Sequence, residues 1–316
     1  MHVVGNTINT YGNLSSNANY FYVFIGILFQ FAVPLFVMIS GMMFLGKKDI
    51  TFKEMFKKYI LKILLIILII GTSMILMEEI FINKKLSFNL MSKVFIRLLT
   101  GDIWAHMWYL YLTLGLYLLT PVLTIITNNI SQKNYKIFLI ILFILTILLS
   151  TINEVFNIDI ALNTINISGY LFYYFYGYYI YKYDISENYK ILNYFVSFIS
   201  IALLIYYISS YTTLDSSFSY TTFIPFIFAS SCILALKNKS INLKINILIN
   251  SIGMCSLGIY VIHQFFINVI YKVLKIDFII NYPFIGLIIY TLAIFLVSYI
   301  VTYLLRKIKL IRKYLL

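Results

Sequence analysis

Three histidines make up the whole histidine complement of the chain, and each lies inside or at the edge of an apolar stretch: His2, His106 and His263. Imidazole, with an unperturbed pKa of about 6.5, is suited to exchange a proton near neutral pH. An ionisable side chain at membrane depth is costly, so by default it indicates a functional site. The placement of the histidines therefore predicts proton-transfer chemistry in an apolar environment.

The elements that must hold these side chains are membrane-spanning helices. Of the 316 residues, 62% are hydrophobic and 11% are charged, and the mean hydropathy is +0.92. Soluble domains carry about 25% charged residues, so this composition excludes the soluble class. We predict an all-α fold, a polytopic transmembrane helix bundle that forms one membrane-embedded domain over residues 1–316 and has no soluble domain.

Nine apolar runs approach the length of about 20 residues that a helix needs to cross the hydrocarbon core. We expect nine full spans, preceded at residues 1–5 by the last turn of a truncated first helix, and the fourth and fifth spans are the shortest. The predicted spans cover residues 21–45, 63–82, 106–127, 137–152, 167–181, 191–211, 219–236, 251–271 and 281–305.

The distribution of Lys and Arg predicts the orientation of the spans. When the segment 46–62 is placed in the cytoplasm, the inner segments together hold roughly three times as many Lys and Arg residues as the outer ones. The basic tail at 306–313 then lies inside, so we expect a cytoplasmic C-terminus. The net charge of +13 is explained by this topology and by attraction to anionic lipid headgroups, without any nucleic-acid partner.

The first complete span contains a proline and two small residues. Pro34 frees a backbone carbonyl one turn earlier, and Ser40 and Gly41 allow a neighbour or a ligand to approach closely. A kinked packing helix is the structural alternative to a functional one.

Aromatic residues accompany the second and third histidines. His106 opens the string His106-Met107-Trp108-Tyr109, which also fits an interfacial aromatic belt. His263 lies about 12 residues into its span, roughly 18 Å along the helix axis, a depth that interfacial anchoring cannot explain. A structural histidine that is satisfied by a neighbour remains the alternative at this position.

The tyrosine-rich segment and the two cysteines favour a structural role over a catalytic or metal-binding one. The tyrosine-rich string 169–179 needs hydrogen-bond partners or a polar cavity, although the chain has 29 Tyr in all. Cys232 and Cys255 suit small apolar packing residues better than a disulfide. The sequence has no Cys/His spacing typical of zinc and no glycine-rich phosphate loop, and we predict no metal site.

These motifs and their order along the chain resemble the integral-membrane acyltransferase family called acyltransferase 3, in particular its O-acetyltransferases of cell-surface glycans. Together the matching features reach from residue 2 to the last spans. They are His2 before a polar stretch, Val33-Pro34-Leu35-Phe36 through Ser40-Gly41, His106-Met107-Trp108-Tyr109, and Leu257-Gly258-Ile259-Tyr260 through His263.

The resemblance implies ten helices, a cytoplasmic acyl-CoA donor and an acceptor hydroxyl on a glycan or a lipid-linked saccharide. It also implies an Arg on the first helix about eleven positions before the catalytic histidine, which His2 matches. No residue precedes Met1 in this sequence. A start codon placed too late is the simpler explanation that we expect, and a real loss of the first helix would predict an impaired enzyme.

The resemblance also ranks the candidate site residues. Acyl transfer to a hydroxyl needs a base for the acceptor proton and donors for the tetrahedral oxyanion. We predict His2 as the base, followed by His106, with His263 structural within the site, and Ser40, Tyr109 or His106 as the oxyanion donor. The predicted substrate-binding residues are Trp108, Tyr109, Tyr174 and Tyr260.

We expect acyl-CoA, and acetyl-CoA in particular, as a co-substrate and no bound cofactor. Its phosphates are predicted to meet the inner basic segment, in which the same lysines also serve as plain topology determinants. The candidate phosphate ligands are Lys47, Lys48, Lys57 and Lys58.

Two other functions remain open from the sequence, a multi-span transporter or exporter of a glycan intermediate and a non-catalytic relative. Transporters usually carry inverted repeats and intramembrane charges, and no acidic residue lies deep in any predicted span. The partners we expect are the lipid bilayer, acyl-CoA and the saccharide acceptor. We expect the plasma membrane as the location, and the richness in Ile, Asn, Lys, Tyr and Phe favours a bacterial source. The acceptor, the acyl group and the oligomeric state stay open.

Overall fold

The computed structural model describes residues 1–11, 16–47, 50–82, 89–158, 160, 168–210, 219–237 and 243–316. Within these ranges the ordered elements are helices, and no residue there is in a strand. In hydrocarbon a helix satisfies its own backbone hydrogen bonds within a single segment, so apolar runs rich in Ile, Leu and Phe adopt this form. The predicted all-α class is confirmed.

The helical runs are numbered here in chain order. They are α1 (His2–Tyr11), α2 (Asn17–Phe44), α3 (Phe52–Ile80), α4 (Leu90–Thr100), α5 (Trp108–Asn129), α6 (Gln132–Phe156), α7 (Gly169–Lys182), α8 (Glu187–Ser210), α9 (Phe223–Leu236), α10 (Asn246–Leu274), α11 (Phe278–Asn281), α12 (Pro283–Leu305) and α13 (Lys309–Tyr314).

Among the described residues, seven helical runs are long and apolar enough to cross a membrane, in α2, α3, α5, α6, α8, α10 and α12. The predicted count of nine is not confirmed. The predicted spans 167–181 and 219–236 correspond to α7 and α9, which have 14 residues each. A helix of that length covers about 21 Å, short of a hydrocarbon core of about 30 Å.

In three places helices occupy residues that were predicted to lie outside helices. α1 continues to Tyr11, where a loop was expected, and the side chains of Asn6 and Thr7 bond back to the carbonyl oxygens of His2 and Val3 at 2.9 and 2.8 Å. Such bonds to the preceding turn keep polar side chains compatible with a helix.

Two segments that lie between the first three predicted spans also hold helices. Residues 46–62 include the start of α3 at Phe52, where the Thr51 hydroxyl caps the first turn by accepting from the Glu54 amide at 3.2 Å. Residues 83–105 include α4, which ends at Gly101 with a positive φ of 74°. Glycine adopts this left-handed conformation without the steric cost that a Cβ atom adds.

The contacts of the chain divide it into two compact units. Unit 1 comprises residues 1–49 and 122–240, and unit 2 comprises residues 50–121 and 241–316. His2, Ser40 and Tyr174 belong to unit 1, and His106 and His263 belong to unit 2.

Unit 1 is built on a close crossing of α2 and α7. A Cβ atom added at Gly41 would collide with the Tyr174 carbonyl oxygen, and one added at Gly177 would collide with that of Met38. Small residues permit this backbone approach between membrane helices. Most of α7 is consequently buried, and its phenols find partners: the Tyr173 hydroxyl donates to the Tyr220 carbonyl oxygen at 2.8 Å.

Unit 2 contains the apolar cluster that supports the second and third histidines. Met107, which follows His106, and Val261, two residues before His263, are fully buried in this cluster. α10 also packs on α12, and a Cβ atom at Gly258 would strike the side chain of Thr302. The turn before α5 and the middle of α10 are thereby held by one continuous core.

Candidate active site

His106 lies in the turn between α4 and α5, outside the membrane spans, and its residue is only 1% exposed. Its Nε2 atom lies 3.2 Å from the carbonyl oxygen of Val261 on α10. A carbonyl oxygen can only accept a hydrogen bond, so Nε2 carries the proton of the neutral ring. The lone pair of the neutral imidazole is then on Nδ1.

His263 has the opposite arrangement of ring nitrogens. It lies within α10, roughly 16 Å along the axis from the nearer end of the span. Its Nδ1 atom is 2.6 Å from the Tyr260 carbonyl oxygen one turn earlier. Nδ1 therefore donates, and Nε2 of the neutral ring carries the lone pair.

The two imidazoles meet edge to face, with ring centroids 5.1 Å apart and an interplanar angle of 74°. Tyr260 joins them, because its ring centroid lies 5.5 Å from that of His106 and 6.0 Å from that of His263. The Tyr260 hydroxyl donates to the His106 carbonyl oxygen. One tyrosine on α10 thus contacts both the ring and the backbone of the facing turn.

Two further predicted residues extend this aromatic cluster. The ring of Tyr109 lies 5.7 Å from that of Tyr260, and the ring of Trp108 lies 6.1 Å from that of Tyr109. The structure therefore brings together five of the residues that the sequence singled out. They are His106, Trp108, Tyr109, Tyr260 and His263.

Burial determines the charge of His106. Removal from water, reinforced by the nearby His263, lowers the pKa of His106 to about 4. The ring is neutral at pH 7, and its one remaining basic atom is Nδ1. The neutral ring can accept a proton only at Nδ1, and its lowered pKa makes it a weaker base than a free histidine.

The other predicted site residues lie in unit 1. His2 begins α1 and is partly exposed, and Ser40 is partly exposed with its hydroxyl donating to the Phe36 carbonyl oxygen at 3.0 Å. Tyr174 is fully buried in the crossing of α2 with α7. Their predicted roles stay predictions.

The predicted phosphate ligands differ in their surroundings. Lys47 lies over the Phe44 ring, with Nζ 4.9 Å from its centroid, and Lys57 is exposed. Lys58 forms an ion pair with Glu54 at 2.6 Å, which competes with any anion. Lys48 lies outside the described residues.

The comparison with protein families decides the class of this protein. The family model of the acyltransferase domain, acyltransferase 3, matches residues 1–306. The chain belongs to the acyltransferase 3 family. No curated protein and no solved structure matches it.

Membership confirms the resemblance drawn from the strings around His2, Pro34, His106 and His263, and it makes the protein a multi-pass membrane acyltransferase. The His106–His263 pair gives this acyltransferase two neutral imidazoles whose basic nitrogens are set by backbone carbonyls. Within the described part of the chain, no group of three or more His, Cys, Asp and Glu side chains could hold a metal ion.

Sequence reasoning missed the ionic contacts beside the site of the acyltransferase. Arg97 lies between two predicted spans and was given no role in the predicted site, whereas it bonds to Glu78 and Glu79 at 3.1 and 3.2 Å. The available signal was the pattern of α4, in which Lys93 and Arg97 are four residues apart and share a helix face. The contact between His106 and the Val261 carbonyl had no signal in the sequence.

Proposed function

We propose that this acyltransferase moves an acyl group, acetyl in the first place, from acyl-CoA to a hydroxyl of a cell-surface glycan or a lipid-linked saccharide. The observation that supports the proposal most is the His106–Tyr260–His263 cluster, in which His106, in the turn before α5, meets His263 near the middle of α10. An acyltransferase that acts on a hydroxyl requires such a base, because the acceptor must lose its proton as it attacks.

The chemical step needs one proton acceptor that later returns its proton. The acceptor oxygen attacks the thioester carbonyl carbon, and its proton passes to an imidazole nitrogen. The tetrahedral intermediate then collapses, the C–S bond breaks, and the coenzyme A thiolate takes the proton from the imidazolium. Atoms and charges balance without a metal or a redox partner.

The resemblance assigns the proton acceptor to His2, and the geometry of unit 2 supports His263 Nε2 for the same role. Both N–H groups of the neutral His106–His263 pair are directed at backbone carbonyls. Neither ring therefore has an N–H left for an oxyanion, which favours the pair as bases over the earlier assignment of His106 as an oxyanion donor.

The donor is proposed to bind through the basic residues that begin α3. Lys57, which is exposed, fits this role better than Lys58, whose ammonium group already has a carboxylate partner. Replacing Lys57 with Glu should raise the KM for acetyl-CoA with a smaller change in kcat. The same replacement at Lys309, an exposed lysine of the tail, is the matched control.

Radiolabelled acetyl-CoA added to membranes that contain the protein tests this function. We expect a labelled saccharide or lipid-linked saccharide whose mass rises by one acetyl group, and none from membranes without the protein. A transporter or a non-catalytic relative would leave no labelled product. His2→Ala and His263→Ala are assayed in parallel: loss with the first alone assigns the base to His2, and loss with the second alone assigns it to His263.

A further inference from the structure

An ionic cluster lies next to the turn that carries His106. On α4, Arg97 has a side chain only 11% exposed, and it reaches Glu78 at 3.1 Å and Glu79 at 3.2 Å. Glu79, with a side chain 3% exposed, also accepts from Lys93 at 2.7 Å. Because Glu79 is buried and Arg97 is largely shielded from solvent, this cluster differs from a solvated surface pair, which contributes little.

The orientation of α4 explains this burial. Three of its large apolar side chains are exposed, Met91 by 73%, Phe95 by 62% and Leu99 by 68%, while Val94 and Leu98 pack against the core. Its basic side chains instead lie against the carboxylates at the end of α3. A helix whose charges contact protein and whose exposed side chains include large apolar ones suits a position at a membrane interface.

Arg97 also holds the chain that follows α4. Its Nε atom donates to the Asp102 carbonyl oxygen at 2.8 Å and lies 3.3 Å from the Asp102 carboxylate. The planar guanidinium group can satisfy several oxygens at fixed angles, which a lysine cannot. One side chain therefore joins the end of α3 to the first residues of the turn.

The same turn ends in the histidine pair. It begins at Gly101, where α4 stops, and the Met107 amide closes it by donating to the Trp104 carbonyl oxygen at 2.8 Å. The Tyr111 hydroxyl ties it back to α4 through the Leu98 carbonyl oxygen at 2.6 Å. Asp102 and His106 are thus the two anchored ends of one short segment.

We propose that Arg97 is a positioning residue, which fixes the turn 101–107 from Asp102 and so keeps His106 buried against Val261 and His263. Its effect on catalysis rests on the proposed function, whereas its effect on the place of His106 does not. Arg97 touches no substrate in this account and acts only through the turn.

Chemical labelling of histidine tests the position directly. Diethyl pyrocarbonate modifies accessible neutral imidazoles, and the three histidines of the chain can be followed separately by peptide mass spectrometry. In Arg97→Ala we expect His106 to react about tenfold faster or more, because charge-assisted hydrogen bonds that hold the turn closed are lost. His2, in unit 1, should keep its wild-type rate.

A conservative variant and a control separate positioning from general damage. Arg97→Lys keeps the charge but loses the planar guanidinium group. The rate at which its His106 is modified should therefore fall between those of the wild type and Arg97→Ala. Arg312→Ala removes the same charge from an exposed site in the tail and should leave all rates unchanged. If Arg97→Ala does not fold, Arg97→Lys carries the test.

The proposal is overturned if His106 is modified at the wild-type rate in a folded Arg97→Ala protein. The same result in Arg97→Lys overturns it where that variant carries the test. Faster reaction at all three histidines also overturns it, because that pattern reports global loosening. If the protein transfers acetyl groups, Arg97→Ala should lower kcat with little change in the KM for acetyl-CoA. Selective labelling of His106 without any transfer by the wild type would sustain the positioning role and refute the proposed function alone.

Discussion

The ring of His106 meets the ring of His263 edge to face at 5.1 Å, and each donates to a different backbone carbonyl of α10. The two acceptors, Val261 and Tyr260, are neighbours in sequence. One stretch of α10 therefore sets the tautomer of both imidazoles. The basic nitrogen is Nδ1 in His106 and Nε2 in His263, and this difference is the basis of the functional account.

Tyr260→Phe should lower acyl transfer without unfolding the protein. The change removes the hydroxyl that donates to the His106 carbonyl oxygen and keeps the ring that packs between the histidines. Loss of this one hydrogen bond should reduce kcat by about tenfold. The control is Tyr181→Phe, which alters a tyrosine that is 63% exposed. Wild-type turnover by Tyr260→Phe would argue against a role for this bond.

Stability should fall as the pH is lowered from about 6.5 toward 4, partly because of His106. The folded-state pKa of His106 is about 4, below that of an unfolded histidine. In this window the unfolded chain binds the proton and the folded chain does not, so acid favours unfolding. Above the window both states are neutral, and the full stability is present.

The difference between wild type and His106→Gln isolates this effect from the titration of carboxylates. Melting temperatures in detergent at pH 7.5 and pH 5 should drop less for His106→Gln than for the wild type. Equal drops in the two proteins would mean that His106 does not titrate with a lowered pKa.

Gly41→Ala should disrupt the core of unit 1. The added methyl group would collide with the Tyr174 backbone, which cannot rotate away as a flexible side chain could. Overpacking at such a crossing costs about 1–3 kcal/mol or more, and the melting temperature should fall clearly. Gly115→Ala provides the control, since nothing lies within 4 Å of its Cβ position. That change should be neutral or slightly stabilising, because alanine favours a helix over glycine.

Most residues of the candidate site could be predicted from local sequence motifs. The contacts that bring these residues together could not. The depth of His263 in its span followed from its distance along an apolar run, and the aromatic residues that follow His106 were evident in the sequence. Their contact depends on how the turn before α5 meets α10, a tertiary relation with no local pattern. The partner of His106 is the backbone oxygen of Val261. Every residue has such a carbonyl, so the residue type at position 261 does not indicate the contact.

The differences between the predicted and the observed fold have related causes. Residues 83–105 lie between two predicted spans, yet they include α4, which pairs its charges with α3 and exposes several apolar side chains. α7 and α9 were expected to be full spans because of their apolar composition, and the structure does not confirm this expectation. Tyr183 is extended directly after α7, and Thr222 is extended directly before α9. Such boundaries depend on backbone conformation more than on hydropathy.

The most direct test of the account is the initial rate of acetyl transfer from acetyl-CoA by purified protein in lipid vesicles, compared between wild type and His263→Ala at equal protein content. The control is Ile249→Ala, which truncates an exposed side chain on the same helix. General acid–base groups contribute about a hundredfold or more, so we expect a loss of at least that size for His263→Ala and a wild-type rate for Ile249→Ala. A folded His263→Ala protein that transfers acetyl groups at the wild-type rate would contradict the central role of the histidine pair.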